Sequence, residues 1–186
     1  MNYLQKMPSR QSGAGMIEVL VTLVILLVGL LGLAGLQLHA QRSEVESYQR
    51  VQALVLLQDM VGRINANRLN AASYVADVGT GDAQPAATDC AALTTIPARD
   101  LCEWSNALKG AGEQAAGVAA GAMAGGRGCV AYNAASSVAI VSVAWQGLGD
   151  TATPSPGLTC GSGQYGTETK RRVVSVPIRF ADLAAP

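Results

Sequence analysis

Read for hydrophobic and polar positions, the chain divides early. From Val19 to Leu36 no residue is charged and Thr22 alone is polar, a run long enough for a helix to cross most of a bilayer's apolar core. No proline interrupts Ala14 to about Arg68, and good helix formers dominate, so one continuous helix on the order of 80 Å long is expected there, ending near Asn65 to Asn70. Beyond the apolar run the pattern becomes helical and amphipathic. Leu57, Met60, Val61 and Ile64 recur at i, i+3, i+4 and i+7, while Gln58, Asp59, Arg63 and Asn65 face elsewhere. That stripe needs a covering layer.

The last third supplies one. Cys129 to Tyr132, Val138 to Trp145 and Arg172 to Phe180 are rich in β-branched and aromatic residues and bounded by turn signals, so three antiparallel strands are expected. In the third, Val174, Val176, Ile178 and Phe180 share a face, and Pro177, lacking a ladder donor, places the strand at an edge or its donor side outward. The economical fold is α+β, a long N-terminal helix laid across a small antiparallel sheet. Between them, residues 71 to 128 are rich in alanine and glycine; a short helix around Pro97 to Lys109 is expected, and the rest gives no clear period.

Charge and cysteine content narrow the setting. Thirteen basic and thirteen acidic residues balance, so no global field favours nucleic acid, and no nucleic-acid partner is expected. Lys6 and Arg10 precede the apolar run and favour a cytoplasmic N-terminus, with the bulk of the chain on the other side. Cys90, Cys102, Cys129 and Cys160 all fall in that outer part. Four cysteines allow three connectivities; the pairing expected is Cys90 with Cys102 and Cys129 with Cys160, which closes the shorter loops. A zinc site lacks support, because there is no C-x-x-C pair and the single histidine, His39, lies at the membrane edge. No metal or other cofactor is expected.

Other signals carry little. Gly161, Gly163 and Gly166 match G-x-G-x-x-G formally, but no helix follows to orient amides toward a phosphate. Gly29, Gly32 and Gly35 suit either close helix packing or ordinary membrane-helix usage. Lys170, Arg171 and Arg172 read as a solvated strand end. No nucleophile, base and orienter assemble around His39, so no catalytic residue is assigned and an enzyme is not expected.

Glu18 remains, a carboxylate at the mouth of the apolar run. The helix N-terminus favours it by about 0.3 to 1 kcal/mol, which accounts for its tolerance but not for the polar leader before it. The stretch SGAGMIEVLVTLVILLVGLLGLAGLQ resembles the N-terminus of type IV prepilins. In that family a dedicated inner-membrane peptidase cuts after a glycine, and glutamate is the fifth residue of the mature chain. The resemblance implies cleavage between Gly13 and Ala14, N-methylation of Ala14, and Glu18 as the residue that sets subunit register. Cutting after Gly15 would instead leave Glu18 third. GLLGLAGLQ, GRGCVAYN, VSVAWQG and RRVVSVPIRF further resemble the PilV-type minor pilins.

The organisation this implies is a leader at 1–13, a membrane or filament-core helix at 14–38, its amphipathic continuation at 39–70, and an extracytoplasmic α+β head with two disulfides at 71–186. The implied role is a minor subunit in priming, assembly or tip structure of a type IV pilus, supporting motility and adhesion. Its implied partners are other minor pilins, the major pilin, the prepilin peptidase and the inner-membrane assembly machinery. It would cross the inner membrane once with a periplasmic head and then enter the extracellular pilus. Two alternatives stand beside it: a minor pseudopilin of type II secretion, which shares leader and helix, and a signal-anchored periplasmic enzyme or binding protein.

Overall fold

A computed structural model describes residues 15–82, 89–111, 114–115, 118–119 and 123–181. The chain forms two compact units, Met1–Ser43 and Glu44–Pro186. Helix α1 runs from Met16 to Ala66, and its apolar first half makes up the described part of the first unit.

The second unit is built on a four-stranded antiparallel sheet in the order β1-β4-β5-β6, with β1 at Ala76–Gly79, β4 at Arg127–Asn133, β5 at Val138–Gln146 and β6 at Arg171–Arg179. A separate pair, β2 at Gln114–Ala115 and β3 at Val118–Ala119, forms a small hairpin. Helix α2 spans Ile96–Leu108; the Thr95 hydroxyl accepts the Ala98 N–H at 3.3 Å and Pro97 stands in the first turn, where its missing donor costs nothing.

Register explains the core. Val130, Val141 and Val176 lie across one another on one face, as do Tyr132, Ala139 and Ile178. Leu57, Met60 and Ile64 of α1 are buried in the same cluster, together with Trp104 and Leu108 of α2, and Val61 is packed at its margin. The long helix thus packs on a small antiparallel sheet through its water-side half, the α+β arrangement.

Some details add to the sequence expectation and others follow it. The sheet has four strands rather than three: β1 is a four-residue segment with a single β-branched side chain, and its pairing with β4 defines it. The α-helix stops at Ala66, and a 3-10 segment, Arg68–Tyr74, continues the chain past the asparagines. Pro177 lies on β6, an edge strand, the placement its missing donor favours. Gly161, Gly163 and Gly166 all have positive φ in a turn-rich loop before β6, a backbone role rather than a phosphate cradle.

Candidate assembly interface

Glu18 lies in the first turn of α1, its N–H bonded to the Gly15 carbonyl at 2.8 Å. Its side chain is exposed, and among the described residues it makes no ion pair. From Val19 to Leu36 the residues after it, Thr22 apart, are apolar, and they are exposed all around the helix. The Thr22 hydroxyl donates to the Val19 carbonyl at 2.9 Å, so the polar group inside the run is satisfied by backbone. This is one helix long and apolar enough to cross a membrane. Gly13 and Ala14, expected at the cleavage and methylation site, lie outside the described residues.

Within the second unit, polar contacts fasten α1 to the head. The Glu46 carboxylate accepts from the Arg172 guanidinium at 3.1 Å and from the Leu148 N–H at 3.0 Å. Farther along the helix, Arg63 donates to Asp59 at 3.0 Å, Asp100 at 3.0 Å and Glu103 at 2.5 Å, joining α1 to α2. Burial works against that guanidinium's charge, yet the three carboxylates outweigh it and hold the pKa above the ordinary arginine value. Tyr74 donates to Asp100 at 2.5 Å; burial first, and then that carboxylate, pushes the phenol up to about 12. The Trp104 indole N–H reaches the Leu56 carbonyl at 2.9 Å, fixing α2 against a particular turn of α1.

The loops are tied down in the same manner. Asp82 is bound by Lys109, by the Ser105 hydroxyl at 2.7 Å and by the Gly79 N–H at 2.9 Å. Burial opposes ionisation there, but these donors prevail and hold the carboxyl below its usual range. Disulfides join Cys90 to Cys102 and Cys129 to Cys160, the first pinning α2 to the segment before it and the second pinning the 160s loop to β4. Asp77 lies beside Cys129 and Cys160, a grouping that could ligate a metal as thiolates; as a disulfide, the two sulfurs have no thiolate to offer.

The basic run ahead of β6 departs from its sequence reading. Arg171 is 4% exposed and donates to the carbonyls of Leu158 at 2.6 Å and Cys160 at 3.1 Å, with Glu168 at 2.6 Å as its carboxylate. Arg172 is occupied with Glu46 and the Gly149 carbonyl. These guanidiniums staple a loop and a helix; they are not a solvated strand end. Sequence reasoning missed them, together with the Arg63 cluster, because the partners that join separate elements, Glu46 for Arg172 and Asp100 and Glu103 for Arg63, are distant in the chain.

A family model described as Tt1218-like, type IV pilin Tt1218, matches residues 35–107. That match supports a type IV pilin. It covers the water-side half of α1, β1 and nearly all of α2, and so extends from the expected helix into the alanine-rich segment after residue 71. Pilins are structural subunits, and the exposed apolar helix is consistent with membrane anchoring and incorporation into a pilus. No curated protein and no solved structure matches.

Proposed function

We propose that this chain is a minor pilin of the PilV type, a low-abundance subunit that takes part in priming, assembly or tip structure of a type IV pilus. The observation that carries the reading is α1 itself, apolar and uncovered around its first half, with a single carboxylate in its first turn. In this reading, cleavage between Gly13 and Ala14 frees an α-amine, later methylated, and a subunit entering the filament sets that cation against the Glu18 carboxylate of a neighbour. Within an apolar bundle an unpaired charge is heavily penalised and a matched pair far less so, which converts charge pairing into axial register. Its partners are the major pilin, other minor pilins, the prepilin peptidase and the inner-membrane assembly machinery, with the head on the periplasmic side before extrusion.

Mass spectrometry of the mature protein tests the processing step: a chain starting at methylated Ala14 is expected, and an intact Met1 on filament-incorporated protein overturns it. Glu18→Ala is expected to lower incorporation into pili by at least about a hundredfold at unchanged membrane level, since it strands the partner amine. Incorporation equal to wild type removes the register role. A deletion strain that loses piliation while retaining type II secretion fits a pilin; the reverse phenotype identifies a pseudopilin.

A further inference from the structure

A second, smaller core lies on the far face of the sheet. Register puts Asp77, Cys129, Ser142 and Ser175 in one row across all four strands, on the side opposite the face that packs on α1. There the loop before β6 is laid over the strands: Cys160 and Tyr165 are buried with Ala144, and Cys129 and Val173 pack at the margin. The Cys129–Cys160 disulfide is the covalent part of that cover. Cys90, Cys102 and Cys160 are 8%, 1% and 5% exposed, whereas Cys129 is half-buried, alone among the four cysteines. A thiol arriving from solvent therefore meets this pair first, and meets it at Cys129.

That sulfur has a charged neighbour. Asp77 faces Cys129 in the strand register, and its Oδ1 lies 2.7 Å from the Cys129 Sγ. The nearby cations are directed elsewhere, Arg171 to Glu168 and to the carbonyls of Leu158 and Cys160, and Arg127 to Gln164. Disulfides are opened by thiolates rather than thiols, so the incoming group carries negative charge on its reacting atom. A carboxylate in contact with the target fills part of the approach and also repels the reagent. In water that repulsion slows attack roughly fivefold per unit charge at contact distance.

We propose that Asp77 shields the Cys129–Cys160 disulfide from thiol exchange and so keeps the 160s loop pinned to β4 where thiols are present. The reaction it opposes begins when a thiolate bonds to the Cys129 sulfur and Cys160 leaves as thiolate. A second thiolate then takes the first reagent's sulfur and expels Cys129. Both protein thiolates take protons from water, and two external thiols end as one disulfide. The shield does not depend on the minor-pilin reading. To test it, the intact chain in neutral detergent, unaltered or carrying Asp77→Asn, is treated with mercaptoethanesulfonate or with cysteamine at equal thiolate concentration. Opened cysteines are alkylated and located by mass spectrometry. At low salt Asp77→Asn is expected to speed opening of Cys129–Cys160 by the sulfonate about tenfold, and by cysteamine, whose ammonium offsets its thiolate, no more than about twofold. Salt at about 1 M is expected to erase most of the sulfonate's gain, because the Debye length falls to about 3 Å. Opening of Cys90–Cys102 in the same samples is expected to stay unchanged. The amide fills the space of the carboxylate, so a gain no larger with the sulfonate than with cysteamine, or no gain, overturns the shield. Acceleration of both disulfides together assigns Asp77 to head stability and overturns it as well.

Discussion

Gly128 leaves no room for a side chain. A Cβ there would lie 2.3 Å from Cη2 of Trp104 and 2.7 Å from Cδ1 of Leu108, so α2 packs on β4 only because this position is bare. Gly128→Ala forces the indole or the helix to shift and is expected to destabilise the head by about 1–3 kcal/mol, read as a lower denaturation midpoint at unchanged slope. The buried phenols give a second expectation. Burial, reinforced for Tyr74 by Asp100, raises Tyr74 and Tyr165 from an ordinary 10.0 to about 12. A folded-state pKa raised in this way contributes stability that is complete below pH 10 and is lost as pH rises through about 12. Equilibrium unfolding followed across that alkaline window should show stability falling, and Tyr74→Phe should flatten the fall. Arg171 illustrates the cost of a misread charge: removing it strands the buried Cys160 carbonyl, a loss of about 1–3 kcal/mol, and frees the partly buried Leu158 carbonyl to water.

Among the elements, α2 depends most on fasteners. It is held by the Cys90–Cys102 disulfide, by the Trp104 bond to Leu56 and by the Arg63 cluster. Replacing Cys90 and Cys102 together by serine is expected to cost about 3 kcal/mol of head stability in chemical denaturation. How legible each element was in the sequence follows from how local its cause is. Helix α1 announces itself through composition and the absence of proline, and β5 and β6 through runs rich in β-branched residues, Val138 to Val143 and Val173 to Ile178. Strand β1 could not be read, since Ala76-Asp77-Val78-Gly79 has no strand character of its own and exists through its register with β4. The exposed Tyr48, Val51 and Val55 of α1 went unread because one amphipathic stripe, Leu57, Met60 and Ile64, already accounts for a helix of this kind.

For the molecule as a whole, the division of labour follows the division of chemistry. Residues that could coordinate or react are sparse, and those that cross-brace are many: guanidiniums on carbonyls, carboxylates on amides, two disulfides. A head so fastened suits a load-bearing subunit better than one that must open and close, in line with the pilin match. The placement of its two indoles has a practical consequence. Trp104 and Trp145, the only tryptophans in the chain, are both buried in the head core, and the apolar half of α1 contains none. Tryptophan fluorescence of the intact protein, in detergent or in vesicles, therefore reports on the head alone. Its emission should be blue-shifted at rest and move to the red as denaturant opens the core, whatever state the anchoring helix is in.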